Sequence, residues 1–305
     1  MNLLDIAILN NGADKPLIVE AANAAPEIRI FPAMPFEGVS YSTTVVTALP
    51  TGSSFRAANN GVDAGKATRE NRLVEAFIMN KRWSVDKAVA DGYVKGWNNL
   101  LAQEALLQMQ AAWQDLGSQI YYGTSADSLG FSGFVSAVDS TMVVSAGTGT
   151  ASTCSSVWGA VFGETDVQLA LGMGGKIDMS DPYEGDETGA NSKVYRAYRQ
   201  DLVARPGLQI GSKYSIGRIK NVPAGATGLT DDLLDSLLEC CKVGKAFDAI
   251  FLTKRSLRQL KDSRTATSAS GAPAPWPESI VGPSGKVIPL VVTDSITNTE
   301  TGDGT

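Results

Sequence analysis

Carboxylates carry most of the potential chemistry in this chain, because its 305 residues include no histidine. Without an imidazole, the commonest general base and the commonest metal ligand are both missing. Serine–histidine–aspartate, cysteine–histidine and His-Glu-x-x-His chemistries are therefore excluded. The three cysteines are Cys154, Cys240 and Cys241. Adjacent cysteines rarely bridge each other, and no Cys-x-x-Cys spacing is present for zinc. The expectation is buried, reduced thiols in a cytosolic protein. The acidic cluster Asp178, Asp181, Glu184, Asp186 and Glu187 could hold a divalent cation, but it lacks the spacing of a calcium loop and reads as a solvated acidic loop. Paired carboxylates can also cleave glycosides, yet no aromatic subsite pattern accompanies these. The stretch from Leu169 to Lys176 looks like a phosphate loop and fails twice. Ala170 stands where the first glycine belongs, and Ile177 stands where a magnesium-binding Ser or Thr belongs. A turn between strands is the better reading. The chemistry expected is thus no catalytic residue, no cofactor and no metal.

Composition narrows the class further. Hydrophobic residues make up 43% of the chain, enough for a core, while charged residues make up 19% with a net charge of −6. Tight DNA binding needs a surplus of Lys and Arg to displace counterions from phosphates, and no such surplus or dense basic run is present. An acidic protein can still sit beside packed DNA without adhering to it. The N-terminus shows no basic region with a long apolar run, and no apolar stretch approaches the length of a membrane helix. A soluble protein made in the cytoplasm, with no membrane partner, is expected. Trp83, Trp97, Trp113, Trp158 and Trp276 are scattered and read as packing residues.

The elements that must position these groups follow from periodicity. Residues 1–37 read as an arm, with Leu3 to Ile8 and Pro16 to Ala24 as short segments, and with Pro26, Pro32 and Pro35 keeping the chain extended. Residues 38–80 read as a long hairpin. Its outgoing arm, Val39 to Leu49, is rich in strand formers, Asn60-Gly61 supplies a turn signal, and Lys66 to Met79 returns with Arg72, Val74, Ala76 and Ile78 on one side. A lone two-stranded ribbon is marginal in water, so this one should pack on another chain. Residues 84–120 carry the strongest helical pattern, through Val94, Trp97, Leu101, Ala105, Met109, Ala112, Leu116 and Ile120. Gly92 and Gly96 allow a short helix before the main one. Strands are expected over 141–144, 156–162, 167–171, 213–222, 246–252 and 287–296. Helices are expected over 231–242, capped by Thr230 with Leu229 stapled onto Leu234, and over 254–261. A Ser/Ala/Pro-rich loop spans 263–279.

The order of these segments resembles the major capsid proteins of tailed bacteriophages, in a branch of the Hong Kong 97-like fold. The resemblance runs through Asn2 to Ala7, Leu17 to Glu20, Ala25-Pro26, Phe36 to Gly38, Ala48 to Pro50 and Phe55 to Gly61. It continues in Val85-Asp86 with Ala88, Ile120 to Gly123, Phe131 to Phe134, Trp158-Gly159, Pro206 to Leu208 and Arg218 to Asn221. It closes with Leu252 to Arg255, Leu257, Leu260, Ile288-Pro289 and Thr293 to Ile296. No single motif is specific; the order over most of the chain carries the likeness.

The resemblance implies an α+β architecture: an N-terminal arm (1–37), an extended β-hairpin loop (38–80), a peripheral domain with a long spine helix (81–124), an axial domain (125–275) and a C-terminal strand returning to the peripheral domain (276–305). It implies a virion capsid subunit that joins copies of itself in hexamers and pentamers. It further implies a portal and a separate scaffold as partners, and an icosahedral shell around double-stranded DNA without sequence-specific binding. The inter-subunit contacts expected are Phe55, Arg56, Asn59, Asn60 and Arg72 on the hairpin, and Ile28, Ile30 and Phe31 on the arm. Two other classes fit the composition: a cytosolic hydrolase working through carboxylates, and another phage structural protein of the tail or of head decoration.

Overall fold

The structure, a computed structural model, describes residues 25–48, 50, 54–147, 151–225, 228–242, 244–264 and 275–302, with backbone only at 46 and 47. The arm segments expected before Ala25 and most of the 263–279 loop lie outside these residues.

A 26-residue helix, Trp97–Tyr122, is the backbone of the body. At about 1.5 Å per residue it is roughly 40 Å long. Its apolar stripe does what the spacing requires: Leu101, Ala105, Met109, Ala112, Leu116 and Ile120 are all buried. Val94 and Trp97, placed on the same stripe by periodicity, are exposed. A separate helix, Lys87–Asp91, is capped by the Asp86 carboxylate and ends at Gly92, so the stripe is interrupted before the long helix begins.

Among the described residues the strands form four sheets. Six strands form the largest, in the order Ser279–Val281, Val287–Val292, Ala249–Leu252, Ser155–Ala160, Ile216–Val222, Val143–Ser145. Its central strand Ser155–Ala160 is buried at every position, which is why that run reads as continuously apolar and small. Met79–Asp86 pairs antiparallel with Val194–Ala204, which in turn pairs with Asp178–Met179 and Tyr183–Thr188. Ala33–Pro35, Val167–Leu171 and Pro206–Ile210 make a three-stranded sheet. Ser40–Ala48 and Thr68–Glu75 pair only with each other.

One apolar core joins the long helix to Trp83, Phe131, Phe134, Trp158 and Phe251. A second lies on the other face of the six-stranded sheet, under the helices Asp231–Glu239 and Lys254–Ser263. Thr230 and Thr253 cap those helices through their hydroxyls, and Leu229 and Leu234 are both buried in the second core. The last described segment then comes back across the long helix. Gly117 makes that crossing possible, since a Cβ there would lie 2.2 Å from the Ser295 hydroxyl oxygen.

Three expectations change. Ile28 and Phe31 are not arm residues. A short helix, Glu27–Ile30, tucks them into the chain's own core, where both are fully buried, and Ile30 packs against the same core. Extended-chain signals from Pro26, Pro32 and Pro35 could not reveal that apolar side chains between them have a pocket to fill. Residues 125–275 do not form one body, because Val194–Ala204 pairs with Met79–Asp86 beside the long helix. The strand Val287–Val292 joins the six-stranded sheet; what returns to the long helix is the segment after it, where Ser118 donates to the Ser295 carbonyl at 3.3 Å.

Candidate assembly interface

The hairpin is anchored firmly at its root. Phe77 N–H donates to the Pro206 carbonyl at 2.8 Å, and Met173 N–H to the Gly38 carbonyl at 3.1 Å. The Tyr41 hydroxyl donates to Gln209, which donates in turn to the Glu164 carbonyl at 2.6 Å. Burial raises the Tyr41 hydroxyl's pKa above its ordinary value, so it stays a donor. Gly207 lets the two backbones meet: a Cβ there would stand 2.3 Å from the Glu75 carbonyl oxygen. Arg72, expected at an inter-subunit contact, bonds to the Ile210 carbonyl of its own chain at 3.3 Å and lies 3.6 Å from Glu70. In the described chain it links the ribbon to the body while staying partly exposed.

Beyond the root the ribbon becomes largely exposed, although Val45 on its outgoing strand is buried. In Thr68–Glu75 only Val74 is buried. The ladder ends at Ala48 opposite Thr68, and the connection is long, not a two-residue Asn-Gly turn. Within it Asn59 takes φ +67°, Asn60 N–H bonds to the Ala57 carbonyl, and Arg56 donates to the Asn60 carbonyl at 2.7 Å. Asparagine tolerates this left-handed geometry better than most residues. The turn presents Phe55 fully to solvent, with Val62 also exposed. Phe55, Arg56, Asn59 and Asn60 are thus brought together at one tip, while Ile28, Ile30 and Phe31 lie apart from it in the body.

At the foot of the hairpin is a cleft of about 530 Å³. It lies where Phe77 to Lys81 passes the long helix at Asp115 to Gln119 and the loop from Ala126 to Phe131. Phe77, Leu116, Leu129 and Phe131 give it an apolar lining, and Asp115 and Asp127 bring carboxylates to it. Gln119, buried in the long helix, fixes the loop by donating to the Phe131 carbonyl at 2.8 Å. Asp115 is 3.2 Å from Lys81, and Asp127 accepts from the Leu129 N–H at 2.9 Å.

Three of the five clustered acids, Glu184, Asp186 and Glu187, lie on a strand, while Asp178 sits on the short strand Asp178–Met179 and pairs with Lys176 at 2.6 Å, and Asp181 lies exposed between strands. Tyr183–Thr188 pairs with Val194–Ala204, and its carboxylates meet cations: Asp186 with Arg196 at 3.1 Å, Glu187 with Arg199 at 2.9 Å, and Glu184 with Lys87. The Lys87 ammonium holds the Glu184 carboxyl below its ordinary pKa. Among the described residues no group of three or more acidic or cysteine side chains is placed to hold a metal ion. Leu169 to Lys176 is a strand followed by a turn at Met173–Gly175, as read from its mismatches to a phosphate loop. Cys154 is buried and all three thiols are free.

Sequence reasoning missed one buried acid. Glu27 accepts from Thr293 and, at 3.2 Å, from the Tyr121 hydroxyl, so it ties the start of the described chain to the long helix and to the returning C-terminal segment. Burial pushes its pKa up, against the hydrogen bonds that lower it, and among the described residues Oε2 has no hydrogen-bond partner. Nothing local marks it; only a glutamate directly after a proline hints at a helix start.

A body built on one long helix, with a large sheet to one side and a projecting ribbon rooted in a third sheet, defines a class of shell-building subunits: the Hong Kong 97-like fold of phage capsids. The chain is similar to the solved structure of bacteriophage Epsilon15, with a TM-score of 0.64 and 19% identity over 90% of this chain and 88% of that one. Looser likenesses are to the bacteriophage JBD30 capsid (TM-score 0.49, 8% identity, 90% of each chain) and to Mycobacterium phage Adephagia (TM-score 0.46, 14% identity, 66% of this chain and 89% of that one). No curated protein matches the chain. The family described as Major capsid protein GP7 matches residues 34–301, and the chain belongs to that family. It is a structural protein of the virion that assembles into icosahedral phage heads, not an enzyme. The hydrolase reading and the tail or decoration reading are set aside.

Proposed function

We propose that the chain builds its shell through noncovalent hexamers and pentamers, with the hairpin tip as the element that reaches the next copy. The observation that carries this is the contrast along one ribbon. Its root is locked to the body by Phe77, Tyr41 and Arg72, while among the described residues its tip exposes Phe55 fully to solvent. An exposed aromatic on a projection anchored at its root suits a partner surface, since its apolar area gains free energy only when covered. A head-to-tail contact of this type repeats around a ring and then across a closed shell. The arrangement supports a peripheral role for the long helix with the sheet of Met79–Asp86, and an axial role for the six-stranded sheet.

Further parts of the reading concern partners. A portal and a separate scaffold complete assembly, and the subunit is made in the bacterial cytoplasm. The net charge of −6 favours enclosing double-stranded DNA without sequence-specific adhesion. Deleting residues 54–66 tests the central claim. The variant should remain soluble and yield no shells by electron microscopy and sedimentation. Shells of normal size from that variant would refute it.

A further inference from the structure

We propose that Glu27 is a proton-operated latch. With its carboxyl protonated it holds both ends of the described chain on the long helix, and on ionising it releases them together.

Geometry makes Glu27 the junction of three segments. It opens the short helix Glu27–Ile30 and has no exposed surface. One carboxyl oxygen, Oε1, accepts from the Tyr121 hydroxyl of the long helix at 3.2 Å and from the Thr293 hydroxyl of the returning segment. At Gly117 a Cβ would stand 3.6 Å from the Glu27 Cδ and 2.2 Å from the Ser295 Oγ, so acid and returning segment meet where the long helix has no side chain. Ser295 is tied to the same spot. Its N–H donates to the Thr293 hydroxyl at 3.0 Å, and its carbonyl accepts from Ser118 at 3.3 Å. On the other side, the Phe31 N–H closes the short helix onto the Glu27 carbonyl at 2.9 Å.

This site suits a neutral acid better than an anion. The second oxygen, Oε2, is buried without a hydrogen-bond partner among the described residues, and so is the Ser295 Oγ. A carboxylate cut off from water needs donors at both oxygens, and burying it without them costs far more than burying a neutral acid. Its hydrogen-bonding partners bring no positive charge. Tyr121 is the titratable one, and burial, with the Glu27 carboxyl beside it, holds that phenol protonated. Thr293 is a neutral hydroxyl. Asp294 is exposed and pairs with Lys254 at 3.1 Å, and Arg29 on the short helix is exposed. Ionisation therefore favours an arrangement in which water reaches Glu27, which requires the covering segments to lift from the long helix. Burial raises the carboxyl above its ordinary pKa, so the latch is closed at low pH and opens as pH rises through the folded value. Because one carboxyl touches both segments, a single proton orders or frees both.

Hydrogen exchange with mass spectrometry on the full chain, from pH 5 to 9, tests this. At each pH the parent is compared with Glu27→Gln, which stays neutral, so the intrinsic pH dependence of exchange cancels. The two should exchange alike at pH 5. Towards pH 9 the parent should exchange roughly tenfold faster or more in residues 25–34 and 292–302 together, while residues 101–116 of the long helix stay protected in both. Tyr121→Phe removes a donor that favours the charged form, so its opening should move to higher pH than the parent's. Parent-to-variant ratios within about twofold across the range would overturn the latch. Release of one segment without the other would also overturn it. So would opening of Tyr121→Phe at lower pH, or loss of protection in the long helix in step with the ends, since either marks a general loosening of the subunit.

Discussion

Phe31 and Phe55 allow the sharpest test of how this chain divides its aromatic residues. By sequence both are candidates for contact between subunits, and the structure separates them completely. Phe31 has no exposed surface and its ring lies 5.0 Å from that of Phe162, 5.3 Å from Phe251 and 6.0 Å from Phe134. Replacing it with alanine removes a ring from the centre of four and leaves a cavity walled by aromatics that cannot collapse freely. Such truncations cost about 3–5 kcal/mol. Against a total stability of about 5–15 kcal/mol, that is a large fraction. With a urea dependence of around 3 kcal/mol per molar for a chain of this size, the unfolding midpoint of the unassembled subunit should fall by about 1–1.7 M. Phe55→Ala, on a fully exposed ring, should leave stability within about 0.5 kcal/mol of the parent while abolishing shell formation. Urea titrations followed by tryptophan fluorescence, beside sedimentation of assembly reactions, read both quantities. A Phe31→Ala subunit with the parental midpoint would refute the burial argument. A Phe55→Ala subunit that unfolds early would refute the claim that the tip adds nothing to the monomer.

Other outcomes follow from particular contacts. Gly207→Ala places a Cβ against the Glu75 carbonyl oxygen at 2.3 Å, so it should displace the hairpin root; faster proteolysis at residues 54–67, with little loss of helical circular dichroism, would show it. Glu27 holds its proton above the ordinary 4.5, so its favourable contribution is complete below that value and is lost as pH rises through its folded pKa. Glu27→Gln should therefore gain stability relative to the parent as pH is raised from 4.5 towards 7, measured by thermal unfolding; a difference that stays flat with pH would count against a proton on Glu27. Thr230→Ala removes the hydroxyl that accepts from Leu233 N–H and should cost about 1 kcal/mol in denaturant unfolding.

The legible part of the fold was local. The stripe from Leu101 to Ile120 needed only helical periodicity, and the buried strand Ser155–Ala160 needed only an unbroken run of small and apolar residues. Thr230 announced its helix as a capping residue does, while the Thr253 cap of the next helix was not read from the sequence. The hairpin was legible in its arms: the strand formers ending at Leu49 and resuming at Lys66 bracket a ladder that closes at Ala48 opposite Thr68. The strand Tyr183–Thr188 was missed for a physical reason. Its charges look solvated in isolation, and only the cross-strand Arg196 and Arg199 make a strand of them.

By itself the sequence determined what chemistry is absent and which segments are helix or ribbon, since both depend on residue type and short-range spacing. The absence of histidine and the helical stripe needed no partner to be read. Tertiary structure alone decided where each apolar side chain finds its cover. Ile28 and Phe31 belong to the body because they pack into the core shared by the long helix and the six-stranded sheet, and Phe55 faces solvent because the connection beyond the ladder carries it away from that core. Burial depends on surfaces brought together from distant parts of the chain, and no window of neighbouring residues contains that information.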